Sequence, residues 1–193
     1  MENDNPKKQI ITIAGMLGSG KSSTAKQVAA QLGFTHYSAG DLMRQIGKEQ
    51  GIEDIRAFNL ASEGKEDFDR QVDERTKQLG DDEDRIVFDG HMSWHFVPQS
   101  FKVFLDIDPL VAARRVLAGM DHNRRVSEHI PDSPEEYAEL LEERRQSNMR
   151  RYKQLYGVNP YSPELFDLVI STENNSLDEV VAEVIAKYRN WLG

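Results

Sequence analysis

The sequence predicts an α/β fold, a three-layer doubly wound domain with a five-stranded parallel sheet. Five short, mostly apolar segments have the character of strands, and stretches with helical spacing separate them. The segments are 9–14, 35–38, 85–89, 102–106 and 167–171. A glycine-rich loop directly follows the first segment and precedes a helix. A chain of 193 residues fits one domain, so we expect a single domain over 1–193.

The glycine loop reads "GMLGSGKSST" from residue 15 to residue 24. Its spacing, Gly15-x-x-x-x-Gly20-Lys21-Ser22, is that of a phosphate-binding loop (Walker A), in which the lysine reaches the phosphates and the hydroxyl binds Mg²⁺. A tight glycine turn is the alternative, but the flanking strand and helix favour the phosphate loop. We expect ATP to be bound by Gly15, Gly18, Ser19, Gly20, Lys21, Ser22 and Ser23.

Composition limits the partners and the cell compartment. The chain has 33 acidic and 24 basic residues, a formal net charge of −9, which argues against a broad nucleic-acid surface. It has no cysteine and no apolar run near the ~20 residues of a membrane span. The N-terminus also lacks the apolar core of a signal peptide. We expect a cytoplasmic monomer that binds small nucleotides and neither nucleic acid nor membrane.

Two helix starts are marked by capping residues. Ser133-Pro134-Glu135-Glu136 predicts a helix that runs to about Tyr156. Ser176-Leu177-Asp178-Glu179 repeats the capping box and predicts a last helix that ends near Trp191.

Polar residues follow the second and third strands, where ligands of open α/β sheets bind. "SAGDLMR" places Asp41 near a helix start, and Arg44 one turn later could hold a phosphate by two hydrogen bonds. A helix cap with a surface arginine is the alternative. "IVFDG" ends with Asp89, the expected outer-sphere holder of Mg²⁺ alongside Ser22, or else the start of a turn. The rings of His91, Trp94 and His95 could contact a base or cover the sheet edge.

Arginines are frequent in the second half of the chain. Arg114 and Arg115 lie on a predicted helix and Arg124 and Arg125 in a polar loop, which suggests a lid over about 115–133, although any single arginine is more readily structural. The helix from 134 has a stripe with apolar ends and a polar middle. That middle either overhangs solvent or faces an anionic ligand. The stripe comprises Tyr137, Leu141, Arg144, Asn148, Arg151, Tyr152 and Leu155.

These motifs together resemble the nucleoside monophosphate kinases, most closely the compact archaeal-type cytidylate kinases. "GSGKSS", "HYSAGDLMR", "FDRQVDER", "VFDG", "RRQSNMRRYKQLYGV" and "FDLVIST" follow that family's order over nearly the whole chain. The resemblance implies a P-loop kinase fold with a mobile acceptor-binding region over about 38–80 and a short lid. It also implies ATP with Mg²⁺ as donor and CMP or dCMP as acceptor.

The resemblance assigns roles residue by residue. Lys21 and Ser22 would serve ATP and Mg²⁺, and Arg44 and Asp73 would lie by the acceptor. The candidate catalytic cations are Lys21, Arg114, Arg144 and Arg151. The candidate acceptor site comprises Ser38, Gly40, Asp41, Arg44, Asp73, Asp89, Gly90, His91 and Asn148.

The chain departs from the family pattern at three places. His91 stands where an arginine is frequent, Asn148 stands where an acid is frequent, and the stretch 119–133 exceeds a minimal lid. A kinase for another small metabolite, such as shikimate or dephospho-coenzyme A, is one alternative function. A nucleotide-dependent switch is another, although the guanine-reading Asn-Lys-x-Asp pattern is absent from the sequence.

Overall fold

A computed structural model describes residues 8–51, 66–120 and 130–193. Its five-stranded parallel sheet has the order β2-β3-β1-β4-β5, which confirms the predicted fold class. Each strand lies within one residue of its predicted bounds. The strands are β1 (Ile10–Gly15), β2 (Thr35–Ser38), β3 (Ile86–Asp89), β4 (Phe101–Asp106) and β5 (Leu168–Ser171).

Helices connect the strands and cover both faces of the sheet. In the described ranges they are α1 (Lys21–Leu32), α2 (Ala39–Glu49), α3 (Glu66–Asp82), α4 (Ser93–Phe96), α5 (Pro109–Gly119), α6 (Pro134–Tyr156) and α7 (Leu177–Leu192), with a 3₁₀ turn at Pro163–Leu165. The predicted caps are present, because the Ser133 and Ser176 hydroxyls accept hydrogen bonds from the backbone N–H of Glu136 and Glu179. No helix among these combines the length and the apolar character that crossing a membrane requires.

The core lies on both sides of β1, whose six residues are all buried. On one side Ile11 and Ile13 join a cluster that includes Val28 of α1 and Val181 of α7. Ile10 on the other side belongs to a separate cluster of buried side chains. Helices on both faces of one sheet make the three layers that the apolar strands predicted.

The strand register brings the carboxyl ends of three strands together. Asp89 at the end of β3 pairs with Ile13 of β1 on one side and with Ser38 of β2 on the other. The glycine loop leaves β1 at Gly15, so it starts beside Asp89 and Ser38. The predicted polar segments therefore meet at one edge of the sheet.

Candidate active site

The glycine loop has the backbone conformation of an anion-binding site. Gly18 and Gly20 have φ values of 79° and 85°, a region that other residues rarely adopt. Gly20 caps α1 without a side-chain hydrogen bond, and a Cβ at Gly20 would meet no atom within 4 Å. The uncapped N-terminus of α1 therefore faces open space that suits a phosphate.

Two further features of the loop fit a nucleotide phosphate. A Cβ at Gly15 would lie 2.3 Å from the Leu105 carbonyl oxygen, so only glycine fits where the loop leaves the sheet. Ser19 is buried and its Oγ makes no hydrogen bond within the described residues. A buried hydroxyl without a partner is costly unless a ligand satisfies it.

Lys21 lies across the start of this loop. Its Nζ donates a 3.1 Å hydrogen bond to the Met16 carbonyl. Burial lowers the pKa of Lys21 to about 8, the Asp89 carboxylate opposes that shift, and Arg144 adds to it. Arg144 of α6 therefore lies close to Lys21, so both cations can act on the same bound anion.

A cavity of about 490 Å³ opens beside the loop, within the usual range for small-molecule sites of about 300–1,000 Å³. It brings together eleven of the predicted site residues. These are Lys21, Ser22, Ser38, Gly40, Arg44, Asp73, Asp89, Gly90, His91, Arg144 and Arg151. The rest of the wall is mixed: Met43, Val72, Met92 and Tyr152 give it apolar and aromatic area, and Asp69, Thr76 and Ser93 add polar groups.

The start of α2 holds Arg44 at the cavity wall. The Ser38 hydroxyl accepts from the Asp41 N–H at 3.0 Å and donates to the Asp41 carboxylate at 2.6 Å. The same carboxylate accepts a hydrogen bond from the Arg44 guanidinium. Both hydrogen bonds lower the pKa of Asp41. Asp41 thus fixes the helix start and orients Arg44.

The segment after β3 forms the floor of the cavity. Gly90 donates a 3.2 Å hydrogen bond to the Ile13 carbonyl, and a Cβ there would lie 2.7 Å from the Ser93 Oγ, so the turn is tight. His91 also lines the cavity. Burial and the charges of Lys21 and Arg144 hold the pKa of His91 well below its ordinary value, so the imidazole is neutral near pH 7.

Trp94 and His95 cover the sheet edge, which was one of the two readings of the sequence. Trp94 is buried, its ring packs 5.3 Å from Phe166, and its Nε1 donates to the His91 carbonyl at 2.9 Å. The His95 ring lies 5.8 Å from the Tyr156 ring. Only His91 of the three rings lines the cavity.

Helix α6 faces α3 across the cavity. The Arg151 guanidinium lies 3.3 Å from the Asp69 carboxylate and 4.7 Å from the centre of the Tyr152 ring. The Tyr156 hydroxyl donates a hydrogen bond to the Asp73 Oδ2. Burial, reinforced by the Asp69 charge, raises the pKa of Asp73 to about 7, although the Tyr156 hydrogen bond opposes the shift. Two members of the polar middle of the α6 stripe, Arg144 and Arg151, therefore line the cavity, although Arg144 is also exposed to solvent.

Three of the predicted catalytic and acceptor residues are not in the cavity lining: Asp41, which orients Arg44, and Arg114 and Asn148. The Arg114 side chain is 63% exposed and lies 3.7 Å from Glu135, so it points away from the cavity lining. Asn148 donates to the Tyr161 hydroxyl at 3.2 Å and accepts from Arg151 at 3.4 Å. In this structure it supports Arg151 from behind, and its contact with an acceptor remains a prediction.

The other arginines of the predicted lid are Arg115, Arg124 and Arg125. Arg115 donates to the Thr172 carbonyl at 2.7 Å and ties α5 to the segment after β5, which is a structural role. Arg124 and Arg125 lie outside the described residues, as does the rest of 121–129 within the predicted lid over 115–133.

The sequence did not single out Asp69 or Tyr156, and it indicated Tyr152 only as a member of the α6 stripe. Asp69 and Asp73 are spaced i, i+4 and so share a face of α3. That spacing was visible in "FDRQVDER" and could have indicated an acidic wall. Nothing local in the sequence indicates that this wall meets Arg151 and Tyr156 on α6.

A parallel sheet of this order, with a glycine loop that feeds a helix and a cavity lined by cations, defines a P-loop enzyme of the kinase type. Residues 10–174 match the cytidylate kinase-like family, and the chain belongs to it. The chain is 32% identical over 178 residues to a cytidylate kinase of Pyrococcus furiosus, which covers 92% of this chain and 86% of that one. It is 31% identical over 163 residues to a cytidylate kinase of Methanothermobacter thermautotrophicus, which covers 84% and 94%.

The fold is also found in a solved structure of more distant sequence. A shikimate kinase from Aquifex aeolicus superposes with a TM-score of 0.60 at 20% identity, over 94% of this chain and 97% of that one. At this identity the similarity shows the fold alone. The predicted class, a nucleoside monophosphate kinase, is confirmed by the family and not by this structural match.

Proposed function

We propose that the protein transfers the γ-phosphoryl group of ATP to CMP or dCMP, giving ADP and CDP or dCDP. The observation that carries this proposal is one shared cavity: Lys21 and Ser22 of the phosphate loop line it together with Arg44 and Arg144. A phosphate loop serves one polyphosphate, and cations on α2 and α6 suit a second anion opposite it. The cytidylate kinases among its relatives supply the identity of the acceptor.

The reaction needs no general base, because the acceptor phosphate is already an anion. One of its oxygens forms a bond to the γ-phosphorus while the bond from that phosphorus to the β,γ-bridging oxygen breaks, and ADP leaves. Catalysis then consists of positioning and of neutralising charge on the phosphoryl oxygens. Lys21 acts from the loop side, and Arg144 and Arg151 act from α6.

Ser22 and Asp89 are the residues that we propose for Mg²⁺. Both line the cavity, and a hydroxyl and a carboxylate are the hard oxygen donors that Mg²⁺ prefers. When bound, the ion would neutralise phosphate charge. Asp89 is buried at the end of β3, where hydrogen bonds to both neighbouring strands fix its position.

The setting that we propose is the cytoplasm, with the protein acting as a monomer. The lack of cysteine in the sequence fits a reducing compartment. All of the candidate residues come from one chain, so the proposed chemistry needs no second copy.

A coupled assay of ADP release tests the proposed function. The purified protein is given ATP and Mg²⁺ alone and then with CMP, dCMP, UMP, AMP or GMP in turn. We expect fast ADP release only with a monophosphate, and the highest kcat/KM with CMP or dCMP. A preference for AMP would overturn the acceptor assignment. Turnover with no monophosphate but with a hydroxylated metabolite such as shikimate would place the chain among other P-loop kinases.

A further inference from the structure

The cavity has two chemically different ends. Near the phosphate loop, Arg144 contributes to the lowered pKa of Lys21, and Lys21 and Arg144 both contribute to the lowered pKa of His91. At the α3 side the wall carries the carboxylates of Asp69 and Asp73. A phosphate group is repelled by carboxylates, so the nucleotide's phosphate belongs at the first end and its base belongs at the second.

The acidic end has the surfaces that a planar base requires. Met43, Val72 and Tyr152 line the same cavity and offer apolar and aromatic area. Asp69 is already paired with Arg151, 3.3 Å away. Asp73 is therefore the carboxylate at this end that remains to contact a base.

The Asp73 carboxylate has one oxygen committed and one available. Its Oδ2 accepts a hydrogen bond from the Tyr156 hydroxyl, and its Oδ1 has no hydrogen bond within the described residues. When ionised, Oδ1 can only accept. When the acid is neutral, Tyr156 keeps Oδ2 as an acceptor, so the proton resides on Oδ1 and turns it into a donor.

We propose that Asp73 selects the acceptor base through Oδ1, accepting a hydrogen bond from the 4-amino group of cytosine when ionised and donating to the 4-carbonyl of uracil when protonated. The inference rests on the proposed function and names the specificity determinant of that site. A wrong base leaves a buried donor or acceptor unpaired, which makes hydrogen-bond readout far more selective than apolar packing.

Because the pKa of Asp73 is about 7, the preference should change from uracil to cytosine as the pH rises through about 7. Burial, with the charge of Asp69, raises that pKa to about 7, while Tyr156 and Arg151 act in the opposite direction. Several elements around Asp73 place charged or titratable side chains near it. These groups are Asp69 on α3, Arg151, Tyr152 and Tyr156 on α6, Arg44 on α2, His91 after β3, and His95 on α4, which contacts the Tyr156 ring.

The test is the ratio of kcat/KM for CMP to kcat/KM for UMP at about pH 6 and about pH 8. Both acceptors carry the same phosphate, with a second pKa near 6, so its titration cancels in the ratio. Because kcat/KM reports the free enzyme, the ratio follows the ionisation of Asp73 before the base binds. We expect the ratio to increase at least about tenfold between the two pH values.

Two variants assign the effect to Asp73. Asp73→Asn keeps the size of the side chain and an acceptor for Tyr156 but cannot ionise, so the ratio should be low and independent of pH. Tyr156→Phe removes a hydrogen bond that favours the ionised form, so the midpoint of the transition should move to higher pH. Circular dichroism and a melting curve establish that each variant is folded.

The outcomes separate the inference from the proposed function. If CMP is phosphorylated but the ratio is constant with pH, or falls as the pH rises, the inference is wrong and the proposed function stands. If Asp73→Asn retains the wild-type ratio and its pH dependence, the inference is also wrong. If no pyrimidine monophosphate is an acceptor at all, the proposed function itself fails.

Discussion

Arg151 and Asp69 form an ion pair of 3.3 Å that joins α6 to α3 across the cavity. The two side chains are only 28% and 11% exposed, so the pair is largely shielded from solvent. The sequence analysis treated Arg151 as a cation for phosphate only. The ion pair gives Arg151 a second, stabilising role, because removing Arg151 leaves the buried carboxylate of Asp69 unpaired.

Arg151→Met should therefore reduce both activity and stability. We expect kcat to fall by about 10²–10³-fold, since a cation near the transferring phosphoryl group is lost. We also expect a loss of about 1–3 kcal/mol in the free energy of unfolding, because Asp69 keeps its charge without a partner. Steady-state kinetics and urea denaturation measure the two effects.

The double variant Asp69→Asn, Arg151→Met separates the two roles. Removing both charges should restore most of the stability, since no unpaired carboxylate remains. Activity should stay low, because the cation is still missing. If kcat returns together with the stability, Arg151 acts only by holding α3 and α6 together.

Lys21→Ala should lower kcat by at least about 10²-fold, because no other group can neutralise charge at the phosphate loop with the same geometry. Lys26→Ala is the matched control, since Lys26 lies on the same helix with its side chain in solvent. Both variants should melt near the wild-type temperature. Near-normal turnover of Lys21→Ala would show that the loop does not bind the phosphate that is transferred.

Asp73→Asn should stabilise the protein at high pH. The folded-state pKa of Asp73, about 7, lies above its ordinary value of 3.8, so the folded form holds the proton more tightly than the unfolded chain. The stability from this group is complete below pH 3.8 and is lost as the pH rises through about 7.

The advantage of the asparagine should be on the order of 1–3 kcal/mol at about pH 8 and should vanish near pH 4. Urea denaturation at several pH values measures it. A difference that grows towards low pH would contradict the assignment of the raised pKa to Asp73.

His91→Arg should make the stability of the protein depend more strongly on bound nucleotide. The new guanidinium would lie close to Lys21, Arg144 and Arg151, and repulsion among these cations should lower the melting temperature of the free protein. Bound nucleotide would offset that repulsion, so the increase in melting temperature caused by CMP with a non-hydrolysable ATP analogue should exceed that of the wild type. An equal increase in both proteins would show that residue 91 does not face the phosphates.

The features that the sequence predicted well are those set by local pattern. The strands follow from apolar runs, the caps of α6 and α7 from short motifs, and the phosphate loop from eight residues. The features that it predicted poorly depend on distant partners. Asp69 and Arg151 are far apart in the chain, and only the folded structure, in which α3 and α6 face each other across the cavity, shows that they pair.

The direction of a helical side chain is a second feature of the site that the sequence does not give. Arg114 and Arg115 are adjacent in sequence, yet Arg114 is in solvent beside Glu135 while Arg115 binds the Thr172 carbonyl. Charge alone did not distinguish these two from the cavity-lining Arg144. That distinction depends on the face of its helix that each residue occupies, since adjacent residues point about 100° apart, and on what that face meets in the fold.

The strand order also determines when the protein can become compact during synthesis. Strands β1 and β2 are made first, but β3 lies between them and β4 covers the other edge of β1. A nascent chain that ends before Ile86 thus carries two strands with no neighbour to pair with. Unpaired apolar strands associate readily with other chains. Truncated products that stop short of β3 should consequently aggregate, and the ribosome must deliver more than a hundred residues, through β4 (Phe101–Asp106), before the central strand is protected on both edges.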